Sequence, residues 1–147
     1  MSATKYSAAQ WLGLGGRTET EQPHELPFVQ SVILARVAAK GWPDTVHEVL
    51  LEPFQFSAFN DTYGDPDDRY EQLAAKYPTG QLAVATACAA WTLGVPAARR
   101  PLSPRVCWFH SPRSMKPAGK TPGWAAGKRM VLAPGVDPWR FLFWESA

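Results

Sequence analysis

The chain has 147 residues, 46% of them hydrophobic and 19% charged, a balance that fits one globular domain and excludes a disordered chain. That length can bury a core without disulfides or metals, and no run approaches the roughly 18 apolar residues of a membrane span. The net charge of +2 conceals an asymmetry: residues 1–75 carry 5 Lys/Arg against 11 Asp/Glu, and residues 76–147 carry 10 against 2. This predicts a dipolar surface, or halves that attract each other, with a basic face that meets either solvent or an anionic polymer.

The first nineteen residues hold a single early Lys and no adequate apolar core, so a cleaved secretory signal is not expected. A first helix is predicted from Ala8 to Leu14, stopping at the Gly13, Gly15, Gly16 cluster. That cluster lacks the spacing and the preceding strand of a dinucleotide site. From Phe28 to Ala39, the positions Val29, Val32, Ile33, Arg36 and Val37 fall on one helical stripe, with Pro27 in the first turn and Gly41 at the end. After the Trp42-Pro43 turn a short helix is expected from Asp44 to Leu51, capped by Asp44. Phe54 to Phe59 reads as extended or looped, and Asp65 to Lys76 as a further helix closed before Pro78. Gln81 to Leu93 is strongly apolar and Ala-rich, which marks it as the expected central helix, with Thr79 as its cap. Beyond Pro96 seven further prolines break up any long helix, and short strands are expected at Arg105–His110 and Trp139–Trp144. The whole reads as a single, mainly helical α+β domain over residues 1–147, with a small aromatic-rich β element in the C-terminal half.

Three clusters carry the polar chemistry. Glu19 and Glu21 precede the core helix, where two solvated acids near a helix N-terminus are one account. The other is a general acid in a cleft, kept protonated near neutral pH by partial burial so that it can donate to a glycosidic oxygen. Such a site also needs a stabiliser for an oxocarbenium-like transition state, either a second carboxylate or the substrate's own acetamido group. In the second cluster Phe56 alone fits a core position. Flanked by the amide of Gln55 and the hydroxyl of Ser57, it also fits a sugar-binding rim. The third cluster holds Trp108, Phe109, His110, Ser111 and Pro112, with Trp124 further on. His110 lies near a predicted strand end, where a side chain either contacts substrate or serves structure.

Other classes find less support. His24, His47 and His110 share no metal-ligand spacing, and Asp61, Asp65, Asp67 and Asp68 do not form a calcium loop, so neither metal nor cofactor is expected. Phosphate-loop and serine-nucleophile motifs are absent from the sequence. The basic residues of the second half, Arg99 to Arg129, are scattered through Pro-rich turns and match no nucleic-acid module, so nucleic acid is not expected as a partner. Cys88 and Cys107 allow one bridge at most, and Cys88 also suits a small buried thiol.

In their order along the chain these clusters resemble the SleB-type cell wall hydrolases, the family of the spore cortex-lytic enzymes. The counterparts are Arg17-Thr18-Glu19-Thr20-Glu21, Val32-Ile33-Leu34-Ala35-Arg36-Val37, Gly41-Trp42-Pro43, Gln55-Phe56-Ser57, and Cys107 to Pro112 with Trp124-Ala125. Placing Glu19 on the family's first glutamate takes a two-residue deletion before the helix; without a gap, that position is Arg17. The resemblance implies a lysozyme-like fold and cleavage of the glycan strand of peptidoglycan next to N-acetylmuramic acid, by a lytic transglycosylase or muramidase needing no cofactor. It implies Glu19 as the acid, with Glu21 as its substitute, and Gln55, Phe56, Ser57, Trp108, Phe109, His110 and Trp124 as substrate contacts. An enzyme of this kind, of phage or bacterial origin, would be made in the cytoplasm and reach the wall through a holin, in a virion or after lysis. The second reading is a non-catalytic phage structural or wall-binding protein that keeps the fold, with other virion proteins as partners.

Overall fold

The computed structural model describes residues 3–147. Five helices come first: α1 (Ala8–Glu19), α2 (Leu26–Ala38), α3 (Val46–Leu51), α4 (Pro66–Ala74) and α5 (Thr79–Gly94). Three strands follow, β1 (Val106–His110), β2 (Lys128–Val131) and β3 (Leu142–Ser146), in an antiparallel sheet ordered β1-β3-β2. The fold is thus mainly helical α+β, with its sheet in the C-terminal half, as the composition implied. No helix among the described residues is long and apolar enough to cross a membrane.

Helix α1 opens on a reciprocal cap: Ser7 Oγ accepts from the Gln10 amide while Gln10 Oε1 accepts from the Ser7 amide. It does not stop at the glycines but runs through them to Glu19. The reason is close packing. A Cβ on Gly13 would lie 2.7 Å from the Thr86 Cα of α5, and one on Gly15 would lie 2.6 Å from Leu50 Cδ2 of α3. The glycines let α1 approach its neighbours, and that gain outweighs their poor helix propensity of about 1 kcal/mol each.

Helix α2, not α5, lies at the centre. Val29 to Arg36 are buried without a break, and α2 touches α1, α3, α5 and β1. Its Pro27 stands in the first turn, where no amide is lost to the helix ladder. On α5 only Ala85, Ala89 and Thr92 are buried, while Val84 and Trp91 lie about half exposed. An Ala-rich face packs closely while burying little area, so apolar composition overstated the depth of α5. Thr79 is the first residue of α5 and makes no capping bond, and the expected Asp44 cap of α3 is instead Thr45, whose hydroxyl accepts from the Glu48 amide.

Two polar links fix the layers. Gln30 Nε2 donates to the Ala85 carbonyl of α5 and its Oε1 accepts from Thr92, at 3.1 Å each. Arg36 Nε donates to the Cys107 carbonyl of β1 at 2.7 Å, fastening α2 to the sheet. Strand β1 follows the expected segment closely, whereas β3 begins three residues later than the predicted Trp139, and β2 was not anticipated. Cys88 and Cys107 are both free thiols.

Candidate active site

Helix α1 delivers Glu19 at its last residue, and Thr20 turns the chain away in extended conformation. Opposite stand the turn before the short 3-10 helix Ser57–Phe59 and the end of β1. These elements enclose a cleft of about 290 Å³ lined by Glu19, Arg36, Phe54, Gln55, Ser57, Phe109, His110, Ser111 and Arg113, among others. It continues into a second groove of about 340 Å³, lined by Arg36, Trp42, Phe54, Gln55, Trp108, Phe109 and Trp124.

Burial pushes the Glu19 carboxyl up to about 7, partly offset by the charge of Arg36. Its place at the C-terminal end of α1 acts in the same direction as burial, because the helix dipole disfavours a negative charge there. Glu19 therefore holds a proton near neutral pH and lies where it can give that proton up. Glu21 is different. It is exposed, faces Arg17 at 3.8 Å and lines a separate apolar pocket beside Leu26, Pro78 and Val84. The structure does not bring Glu21 into the cleft.

Arg36 is buried beneath the junction of the two grooves. Its guanidinium lies 4.3 Å from the Trp42 ring centre and 5.3 Å from that of Phe56, and Nη1 is buried without a hydrogen-bond partner. Burial lowers its pKa to about 10, which still leaves it a cation at neutral pH. A charge in the middle of an apolar helical stripe was the sequence signal for it.

His110 is read from its partner. Trp144 Nε1–H donates to His110 Nδ1 at 3.1 Å, so Nδ1 is an acceptor and the neutral ring carries its proton on Nε2. Burial lowers its pKa, which favours that neutral form. His110 thus offers an N–H donor at the cleft, and Trp124 meets it edge-on at 5.9 Å.

Gln55 and Ser57 are exposed at the cleft lip. Phe56 is not at the rim: it is 1% exposed and packs near Phe109 in the core. The residue that takes the rim position is Phe54, 87% exposed, which the sequence reading passed over. Phe109 both lines the cleft and packs against Phe141 and Phe143. Trp108 and Trp124 line the second groove.

Also missed was Glu25, fully buried and gripped by Arg140 through Nε at 2.7 Å and Nη2 at 2.8 Å. Burial alone would raise its carboxyl, but the bonds from Arg140 and Thr20 hold it below the ordinary value. It is therefore an ionised structural acid, unlike Glu19.

The sequence profile of the Cell Wall Hydrolase family matches residues 21–135, most of the chain. The chain belongs to that family. Membership makes it a peptidoglycan-acting enzyme of the SleB type. Arg36, Gln55, Ser57, His110 and Trp124 lie within the matched segment, and Glu19 lies two residues ahead of it. No curated protein and no solved structure matches the chain.

Proposed function

We propose that this cell wall hydrolase cuts the glycan strand next to N-acetylmuramic acid as a lytic transglycosylase, with Glu19 as both acid and base. The observation that carries this reading is a single carboxyl, raised to about 7, as the sole acidic side chain among the described residues that line the cleft. Two-carboxylate glycoside hydrolysis requires a partner acid that holds a water or attacks the sugar. A lone acid fits a reaction in which the substrate supplies its own nucleophile.

In that reaction Glu19 gives its proton to the glycosidic oxygen as the bond from that oxygen to the anomeric carbon breaks. The oxocarbenium-like charge is met by the sugar's own acetamido oxygen. The resulting Glu19 carboxylate takes the proton of the 6-hydroxyl, whose oxygen closes on the anomeric carbon to form an anhydro ring. No water is consumed, and Glu19 ends protonated as it began. Gln55, Ser57 and the His110 Nε2–H supply bonds to sugar hydroxyls and amides, and Arg36 stabilises the transient carboxylate of Glu19. Delivery through a holin, in a virion or by lysis suits such an enzyme in a phage setting.

The test is digestion of purified sacculi by wild type, Glu19→Gln and Glu21→Gln, with mass spectrometry of the products. Anhydro-sugar ends from wild type and Glu21→Gln, lost in Glu19→Gln, are the expected result. Reducing ends without anhydro products would replace the transglycosylase with a hydrolase. No products on any wall type would leave a wall-binding protein.

A further inference from the structure

The acid of the cleft stands at the least secure point of its helix. Glu19 is the last residue of α1, and the final turn of a helix has carbonyls without intrahelical partners and frays first. Here that turn is gripped from both flanks. On one, Arg17 Nε donates to Gln81 Oε1 of α5 at 2.8 Å, with the guanidinium 4.6 Å from the Tyr77 ring centre. On the other stands Thr20.

Thr20 is buried and extended, a conformation that its branched Cβ favours. Its amide closes α1 on the Gly16 carbonyl. Its hydroxyl does more than a helix end requires. It donates to Glu25 Oε1, and it accepts from the Gln22 amide at 3.0 Å and from Arg140 Nη2 at 3.4 Å. Arg140 in turn holds both oxygens of Glu25. The buried Thr20 thus separates two acids, with Glu19 in the cleft and Glu21 outside it.

The chain that supplies Arg140 also reaches the cleft wall. Residues 137–141 form a turn in which the Arg140 and Phe141 amides both donate to the Asp137 carbonyl. Its Trp139 carbonyl accepts from the Arg113 amide at 3.0 Å, and Arg113 and Phe141 line the cleft together with Glu19. One short turn is therefore bonded to the end of α1 through Arg140 and to the cleft wall through Trp139.

We propose that Thr20 and Arg140 are positioning residues for Glu19, which with the 137–141 turn fix the span between the acid and the wall that Arg113 and Phe141 supply. Neither is among the residues that line the cleft. Removing the Thr20 hydroxyl frees the Gln22 amide and takes one donor from Glu25, and in a shared network such a loss passes to the other members. The end of α1 is then held by Arg17 alone, and the Glu19 carboxyl leaves its buried setting. The catalytic weight of this span rests on the proposed glycan cleavage; the placement of the carboxyl does not.

The experiment uses Thr20→Val, which keeps the shape and the extended preference of the side chain and removes the hydroxyl. It reads kcat and KM on solubilised glycan strands, and the carbon-13 titration of the Glu19 carboxyl, assigned by its absence from Glu19→Gln. A fall in kcat of about tenfold or more is expected, with KM nearly unchanged. The carboxyl should titrate at lower pH than in the parent, because burial no longer opposes its charge. Thr20→Ser should return both readouts to parental values. Arg140→Lys keeps the charge beside Glu25 but lacks the fork that spans Glu25 and Thr20, so it should move both readouts in the same direction as Thr20→Val. Lower melting with parental kcat and titration in either folded variant would make the network structural only and overturn the proposal. That result beside Glu19-dependent cleavage would leave the catalytic reading intact. A shifted titration in a protein whose wild type cleaves nothing would keep the positioning and remove the catalytic reading.

Discussion

Glu19 and Arg36 share one cleft, and each changes what the other can do. With the Glu19 carboxyl at about 7, the protonated form dominates below that pH, so cleavage should fall as pH rises through about 7. Arg36 pulls that carboxyl downward, so Arg36→Met should move the alkaline limb of the pH profile to higher pH. The same variant gives up the bond to the Cys107 carbonyl, at a cost of about 1–3 kcal/mol in a urea melt. Reduced stability alone would not move the limb. Stability also carries the signature of Glu19. Its folded value lies above the ordinary 4.5, so its contribution is complete below about pH 4.5 and is lost as pH rises through about 7. Glutamine never ionises. Glu19→Gln should therefore melt higher than wild type at pH 8, by about 1–3 kcal/mol of stability, and at the same temperature at pH 4. Equal melting at both values would remove the buried acid from the account. At this scale the sequence offered two glutamates but no means to tell which of them lines the cleft, because that depends on where α1 ends.

Among the elements, α1 and α5 differ most from expectation, and each has a specific cause. Three glycines within four residues are a stop signal when only local propensity counts. Here they form the surface along which α1 meets α2, α3 and α5, a property of tertiary contact that no local pattern carries. Gly13→Ala tests this: its Cβ meets backbone of α5 that cannot rotate aside, so a loss of about 2 kcal/mol or more is expected in thermal melts. The hydrophobicity of α5 was legible and its depth was not, since alanine fits a close crossing as well as a buried core. Strand β1 was legible because aromatic and β-branched residues run between prolines. Strand β2, Lys128–Val131, was hidden because two of its four residues are charged and its chain is a sheet edge, where charge is tolerated. Phe54 left no trace in sequence, for a positive φ at a phenylalanine follows from surroundings and not from preference.

For the molecule as a whole, the opposed charge of the two halves finds one deep expression in Glu25–Arg140. This pair joins the start of α2 to the segment leading into β3, across 115 positions of chain. Arg140→Met leaves the Glu25 carboxylate buried and unpaired, and should cost about 3–5 kcal/mol. Adding Glu25→Gln to it should recover part of that loss, because the charge disappears with its partner. No recovery in the double variant would show that packing, not charge, accounts for the cost. The overall α+β class and the position of the sheet were visible from proline distribution and aromatic content. This link was not, since nothing in sequence pairs one acid with one arginine so far away.

Helix α1 is also a lever. Its twelve residues run from the Ser7 cap to the acid, a length of about 18 Å at 1.5 Å per residue. A tilt of roughly 5° about its capped end would carry the acid about 1.5 Å, and misplacement by about 1 Å can cost on the order of a hundredfold in rate. The glycine contacts that let α1 lie flush with α5 therefore set an aim as well as a stability. A wedge as small as one methyl group at Gly13, far from any sugar, should dim catalysis well beyond what its melting temperature foretells.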